Sequence, residues 1–251
     1  MKISTRQIMI ILTTILTLAV NGLANTLPLN GLTTGEISDS FETLFVPAGY
    51  VFSIWGLIYI GLVAFTIFQA LPTQRENTRL IKVGWWVVAA NLANASWIFF
   101  WHYQIFALTL VAMLTLLVAL LAVYLGLRSG DDPVSTGERW FARLPFSIYL
   151  GWISVATIAN ISDVLYFFGW GQFGISAEIW MVILLLVVSA LAWAMSLWER
   201  DLGYLGVLLW ALAGIGVKFP DVATVTPAIW VAFGLTALAA LWAGFKRIKI
   251  T

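Results

Sequence analysis

Eight long apolar runs constrain the fold of this 251-residue chain more than any other feature of its sequence. A helix needs about 20 predominantly apolar residues to cross the hydrocarbon core of a bilayer. Only 10% of the residues are charged, whereas an ordinary soluble domain has about 25%. The sequence therefore predicts an all-α integral membrane protein with about eight transmembrane helices. The runs cover residues 7–26, 47–70, 83–103, 105–127, 144–168, 178–197, 202–217 and 224–245.

The basic residues predict the orientation of these helices. With the N-terminus in the cytoplasm, twelve of the thirteen Lys and Arg residues lie on the cytoplasmic side, and Lys218 is the exception. This distribution follows the positive-inside rule and predicts that both termini are cytoplasmic, in a plasma or inner membrane. A cleaved signal peptide is the alternative for the first run, because Lys2 and Arg6 precede a short apolar stretch.

The composition argues against several classes of function. A net charge of +1 offers no basic surface, so we expect no nucleic-acid partner. The chain has no cysteine and one histidine, and it lacks phosphate-binding loops and zinc-ligand spacings. We therefore expect no required cofactor, no metal site and no enzymatic activity, with membrane lipids as the surrounding partner.

Polar side chains inside the runs mark a candidate pocket, because such groups in hydrocarbon must be paired or face a cavity. Trp152 and Ala156 share one face of the fifth run with two of these polar groups. Trp55 lies at a similar depth in the second run. We expect a pocket between the first, second, third and fifth helices. The polar residues are Asn21, Asn25, Asn91, Asn94, Asn160 and Asp163.

Three segments carry a resemblance to a known family. They are VPAGYVFSIWGLIYIGLVAF (46–65), ANLANASWIFFWHY (90–103) and LPFSIYLGWISVATIANISDVLYFF (144–168). Their order and spacing resemble the signature helices of the TspO/MBR family, also called translocator proteins, tryptophan-rich sensory proteins or peripheral benzodiazepine receptors. The resemblance covers about residues 1–170 and implies a five-helix bundle. Residues 171–251 would then form a three-helix extension.

The resemblance also implies a ligand and a set of residues that bind it. Members of the family bind apolar ring compounds such as tetrapyrroles, including haem and porphyrin, or sterols. The loop before the second run departs from the family pattern, since Phe41 stands where the first loop tryptophan would be. The ligand therefore stays open. The residues that match the family's pocket positions are Trp55, Asn94, Trp152 and Ala156, with Tyr59, Asn91 and Phe100 as weaker matches.

Each of these residues also has an ordinary structural explanation. Buried asparagines often only join helices, and tryptophans often form interfacial belts. His102 is expected to be an interfacial histidine with ordinary solvation, with haem ligation as the alternative. The last three helices are expected either to pack as an extension or to form a surface for a protein partner or a dimer.

The sequence leaves three functional classes open. A receptor, sensor or carrier of an apolar ring-containing ligand explains the aromatic and amide residues best. A proton- or ion-coupled transporter using Asp163 is the alternative, although no inverted repeat is evident. An enzyme is the weakest candidate, because no pair of nucleophile and base is evident.

Overall fold

The computed structural model describes residues 4–26, 29–130 and 132–248, and within these ranges the chain forms ten α-helices. Short 3₁₀ and π-helical turns join several of them. The helices are α1 (Thr5–Thr26), α2 (Thr34–Asp39), α3 (Ile54–Ala70), α4 (Thr78–His102), α5 (Phe106–Arg128), α6 (Thr136–Glu138), α7 (Leu144–Phe167), α8 (Ala177–Ala194), α9 (Leu202–Lys218) and α10 (Val225–Ile248).

The predicted all-α membrane fold is confirmed. In the described part of the chain, seven segments are long and apolar enough to cross a bilayer, and α9 is a shorter apolar helix. Each of the eight predicted runs overlaps one of these segments, and seven agree to within about five residues at both ends, whereas the segment of the fifth run begins earlier, at Thr136. The second begins with a 3₁₀ turn at Gly49–Ser53, and α3 proper starts only at Ile54.

The chain divides into two compact units. Unit 1 contains the described residues up to Ile37 and those from Ile54 to Ile153. Unit 2 contains residues 38–53 and the described residues from Ser154 onward. Helix α7 contributes to both units. The boundary predicted at residue 170 rests on the family resemblance rather than on compactness, and it stays a prediction.

In unit 1, α4 packs against α1 and α5, and α3 packs against α1. Close approach of α4 and α5 requires a small residue, since a Cβ at Gly126 would lie 2.5 Å from Val83 Cγ1. Polar contacts also join α1 and α4, because Thr17 Oγ1 donates to the carbonyl oxygen of Asn91 at 2.9 Å. Small residues and internal hydrogen bonds are the usual means of holding helices together where lipid removes most of the hydrophobic driving force.

A buried ion cluster lies at the end of unit 1 where α4 begins. Glu138 Oε2 is 3.2 Å from Arg79 Nη1, and Glu138 Oε1 is 3.1 Å from Arg143 Nε. Arg79 also donates to the carbonyl oxygens of Ser129 and Asp132. The carboxylate and the Arg79 guanidinium are almost completely buried. The cluster thereby ties the start of α4 to the segments that follow α5.

Helix α2 contacts the C-terminal end of α4. A capping box begins α2: Thr33 donates from its backbone and its hydroxyl to Glu36, and Glu36 N–H donates to the hydroxyl of Thr33. These bonds lower the pKa of Glu36. Trp101 Nε1 then donates to the carbonyl oxygen of Thr34 at 3.2 Å, which fixes α2 against α4.

In unit 2, α8, α9 and α10 pack on one another. Ser196 Oγ donates to the carbonyl oxygen of Ala239 at 2.6 Å, which joins the turn after α8 to α10. A Cβ at Gly216 of α9 would lie 3.0 Å from the indole of Trp230 in α10. The three helices are thus joined by a hydrogen bond at Ser196 and by a close approach at Gly216.

Helix α9 also holds the segment that precedes α3. Ala48 N–H donates to the carbonyl oxygen of Gly214, and Trp210 Nε1 donates to that of Val51 at 3.0 Å. The ring of Tyr50 packs edge-on against Trp210, with 5.5 Å between centroids. One structural role of the last three helices is therefore to fix the chain just before α3.

Candidate functional site

An aromatic cluster in unit 1 surrounds Trp55. Its indole stacks on Tyr59, one turn along α3, with 5.6 Å between ring centroids. It also meets Tyr149 and Trp152 of α7 edge-on, at 6.0 and 6.2 Å. Such geometry is preferred by aromatic pairs and contributes about 0.5–1.5 kcal/mol per pair beyond area burial. Trp55 and Tyr59 are half-buried, whereas Tyr149 and Trp152 are buried.

A chain of hydrogen bonds runs beside this cluster. Asn21 of α1 donates to Asn94 Oδ1 at 2.7 Å, and Asn94 Nδ2 donates to the hydroxyl of Tyr149 at 2.9 Å. All three side chains are buried. Because the tyrosine hydroxyl accepts from Asn94, its own proton is directed elsewhere. The chain therefore orients Tyr149 as a hydrogen-bond donor. The side chain of Asn25 lies outside the described residues.

Two of the predicted pocket residues in α4 make contacts elsewhere. Asn91 Nδ2 donates to the hydroxyls of Thr13 and Thr14 at 3.2 and 3.0 Å, so its amide joins α4 to α1. Phe100 is half-buried and packs edge-on against Phe99 at 6.1 Å. Their predicted roles in ligand binding stay predictions.

The three predicted residues in the later part of α7 belong to unit 2. Ala156 is half-buried, and Asn160 and Asp163 are buried. Thr43 Oγ1 donates to Asp163 Oδ1 at 2.8 Å. This bond joins α7 to the segment between α2 and α3, and it supplies the buried carboxylate with a hydrogen-bond donor.

His102 differs from the sequence expectation. Its side chain is 1% exposed, so the prediction of ordinary interfacial solvation is wrong. Nδ1 lies 3.1 Å from the carbonyl oxygen of Leu29, and Nε2 lies 3.1 Å from Thr34 Oγ1. Because a carbonyl only accepts, Nδ1 carries a proton, and Nε2 shares a hydrogen bond with the hydroxyl of Thr34. The segment from Leu29 to Thr34 buries the ring, which local sequence could not indicate.

Unit 2 contains a cavity of about 650 Å³. That volume lies within the range of about 300–1,000 Å³ that is usual for small-molecule pockets. Its walls come from the segment before the 3₁₀ turn, one face of α7, the α7–α8 turn and one face of α8. The lining residues are Glu42, Thr43, Leu44, Phe45, Ile158, Ile161, Ser162, Leu165, Tyr166, Gly169, Trp170, Gln172, Ala177, Trp180, Met181 and Leu184.

The lining of this cavity is apolar along the helices and polar at one end. Trp170 and Trp180 lie with their rings 5.2 Å apart, and Trp180 Nε1 donates to the carbonyl oxygen of Gln172. The hydroxyl of Tyr166 donates to Glu42 Oε2 at 3.4 Å. The aromatic rings and the carboxylate thus lie where α7 ends and α8 begins. We call this cavity the slot.

Sequence reasoning missed Tyr149 and the slot. Tyr149 lies three residues before Trp152 on the same face of α7, so helical spacing could have identified it. The slot is lined by none of the residues predicted to bind the ligand, which are Trp55, Tyr59, Asn91, Asn94, Phe100, Trp152, Ala156, Asn160 and Asp163. Within the described ranges, no group of three or more His, Asp or Glu side chains is placed to hold a metal ion.

Comparison with known proteins gives one match. The model of a family described as TSPO-like protein matches residues 7–243. The match continues past residue 170, where the predicted resemblance ends, and it reaches α10. No curated protein and no solved structure matches the chain.

Proposed function

The chain belongs to the TSPO-like protein family, and on this premise we propose that it binds an apolar, ring-containing small molecule as a receptor, sensor or carrier. The family supports a membrane role of this general kind. We propose a tetrapyrrole, a sterol or a similar flat compound as the ligand. We further propose that both termini are cytoplasmic, and that the protein binds its ligand without converting it.

The observation that supports this proposal most is the aromatic cluster around Trp55. Trp55 and Tyr59 are half-buried and stacked, so their rings keep accessible area for a flat ligand. Trp55 lies inside its span, six residues beyond Gly49 or about 9 Å along a helix. A tryptophan that only anchored the interface would lie nearer the span end.

The hydrogen-bond chain supplies the polar part of this proposed site. Asn21 and Asn94 orient the hydroxyl of Tyr149. The ring of Tyr149 meets the ring of Trp55 edge-on. A carbonyl or carboxylate of the ligand would accept the proton of that hydroxyl. A few placed polar groups in an apolar pocket are typical of small-molecule sites.

The test is a porphyrin titration of the full-length protein in mild detergent. Protoporphyrin IX is the probe, and its absorbance reports binding. Trp55→Leu and Trp152→Leu should each weaken binding by about 1–3 kcal/mol if the rings anchor the ligand. Trp140→Leu is the matched control, since that indole is 61% exposed and lies outside the cluster.

Mass spectrometry of molecules that co-purify with the wild-type protein identifies the natural ligand independently. Equal affinity for protoporphyrin in the wild type and both cluster variants, with unchanged thermal unfolding, would show that the rings only pack. The proposed site would then be abandoned.

A coupled carrier is the second candidate, and Asp163 is the observation that favours it. Its carboxylate is buried in α7 and accepts a hydrogen bond from Thr43. Ionisable residues inside membrane spans often belong to proton or ion pathways. We also retain the proposal that α8, α9 and α10 offer a surface for a protein partner or a second copy.

A further inference from the structure

We propose that the slot of unit 2 is a binding site for a small cationic amphiphile, a molecule with an apolar ring or short chain and a substituted ammonium group. This inference concerns a site apart from the Trp55 cluster, and it does not rest on the function proposed above. Three properties of the slot carry it: its shape, its aromatic end and its carboxylate.

The shape suits a short apolar body with one distinct end. From Ile158 to Tyr166 the wall of α7 extends over nine residues, or about 12 Å from the first to the last. On α8 the wall runs from Ala177 to Leu184. The end toward Ile158 and Leu184 is apolar, so the slot has a polarity gradient along its length. An occupant must have the same gradient.

The aromatic end suits a cation. Trp170 and Trp180 have tilted rings 5.2 Å apart, and Tyr166 lines the same end of the slot. Aromatic faces attract ammonium groups, and sets of such rings are the usual means of recognising quaternary ammonium ligands. A neutral apolar ligand would gain only the burial of its surface there.

The carboxylate of Glu42 completes the charge complementarity. Its Oε2 accepts one long bond from Tyr166, whereas a carboxylate has about four acceptor positions. Lys218 Nζ lies 2.6 Å from Asp39, three residues before Glu42, so this cation is already paired with another carboxylate. Glu42 therefore supplies a carboxylate beside Tyr166 in the lining of the slot. Thr43 is held by Asp163 behind it, which keeps the Glu42 segment in place.

The size of the slot favours a small molecule over a phospholipid. About 650 Å³ accommodates a drug-sized compound. One leaflet of the hydrocarbon core is about 15 Å thick, so two lipid chains of that length exceed the slot in both length and volume. A choline phospholipid also carries a quaternary ammonium group, so it is the alternative occupant that the experiment must distinguish.

The experiment measures binding of radiolabelled 4-phenylbutyltrimethylammonium to the full-length protein in nanodiscs, with empty nanodiscs subtracted. The comparison ligand replaces the trimethylammonium group with tert-butyl, which keeps the shape and removes the charge. We expect the cation to bind about tenfold more tightly than its neutral analogue.

Glu42→Gln should weaken binding of the cation about three- to tenfold and leave the neutral analogue unchanged. Glu76→Gln removes the same charge from an exposed position in unit 1, and it should leave both ligands unaffected. Ile161→Trp should fill the slot and abolish saturable binding of both ligands. The thermal unfolding midpoint of each variant reports whether it folds.

The porphyrin titration of Glu42→Gln should match that of the wild type, which separates this inference from the function proposed above. Equal affinity for the charged and neutral ligands, or unchanged cation binding by folded Glu42→Gln, would overturn the cation site. A choline phospholipid would instead be the occupant if two results occur together. Native mass spectrometry would find it retained by the protein, and the probe would bind in phosphatidylglycerol discs but not in phosphatidylcholine discs. That outcome would also overturn the proposal.

Discussion

The aromatic side chains of the two units differ in what they pack against. In unit 1 the rings around Trp55 pack on one another, beside amides that bond to each other and to Tyr149. In unit 2 the rings of Trp170 and Trp180 line about 650 Å³ of open volume. Similar residue types therefore pack on one another in one unit and line the wall of a cavity in the other.

The contacts that hold the helices together also differ between the two units. Unit 1 joins its helices by buried polar contacts, such as those of Glu138 and Asn91. Unit 2 has close approach at Gly214 and Gly216, together with hydrogen bonds such as that of Ser196. Within the described residues, its helices have no buried ion cluster like that of Glu138. Polar pairs that lose one partner leave a buried group unsatisfied, whereas small residues fail when a side chain is added. The buried ion cluster of unit 1 and the glycine contacts of unit 2 should therefore be disrupted by opposite kinds of substitution.

The largest effect is expected at the ion cluster of unit 1. Glu138→Gln removes the charge that faces Arg79 and Arg143 and leaves a buried guanidinium uncompensated. Breaking a buried pair in this way costs about 3–5 kcal/mol. Thermal unfolding in detergent measures it, with exposed Glu76→Gln as the control. A loss no larger than that of the control would show that the cluster does not hold unit 1 together.

The next effect is expected at the glycine contact of unit 2. A Cβ at Gly214 would overlap Val51 Cγ2 and lie 3.5 Å from Pro47 Cβ, so Gly214→Ala forces α9 away from this segment. Overpacking of this kind costs about 1–3 kcal/mol. Gly206→Ala in the same helix meets nothing within 4 Å and should be neutral or stabilising. Equal unfolding midpoints for the two variants would contradict the close contact.

A smaller effect is expected from the hydrogen bond between Asn94 and Tyr149. A double-mutant cycle with Asn94→Ala and Tyr149→Phe should give a coupling of about 0.6 kcal/mol, the measured average for such bonds between membrane helices, and at most about 1.7 kcal/mol. Asn91→Ala with Tyr149→Phe is the control pair, because Asn91 bonds to Thr13 and Thr14 instead. Equal coupling in both cycles would show that the hydrogen-bond chain has no specific role.

The smallest effect on stability is expected at Asp163. Asp163→Asn keeps the oxygen that accepts from Thr43, so the free energy of unfolding should change by less than the contribution of one hydrogen bond, which is about 0.5–1.5 kcal/mol. Porphyrin titrations between about pH 4 and 8 then separate two functions, since this range brackets the titration of a carboxylate in most protein environments. If the protein is a coupled carrier, porphyrin binding should depend on pH in the wild type and lose that dependence in Asp163→Asn. If it is a sensor, the two proteins should bind porphyrin equally.

The residues of the Trp55 cluster show how far the sequence could predict the site. Helical spacing and depth indicate Trp55, Asn94 and Trp152, and the structure places all three in or directly beside one cluster. Asn91 lies on the same helix as Asn94 and fits the same criteria, yet its amide bonds to α1. Spacing determines the face on which a side chain lies, but the neighbouring helix determines its partner.

The slot shows what spacing could not reveal. Its walls come from residues 42–45, one face of α7 and residues 169–184, and the first of these segments is more than a hundred residues from the others. Open volume is a property of imperfect packing between elements and leaves no pattern in any one of them. His102 illustrates the same point, because its burial depends on the distant Leu29 and Thr34.

The sequence by itself determined the fold class, the approximate positions of the long apolar helices, and the family. These follow from local hydropathy and from motifs within single helices, because a bilayer requires about 20 apolar residues for each crossing and each helix satisfies its own backbone hydrogen bonds. Tertiary structure alone decided that Asn21, Asn94 and Tyr149 form one chain, and that unit 2 encloses a cavity. The reason is physical: side-chain partners and voids depend on how helices distant in sequence pack together.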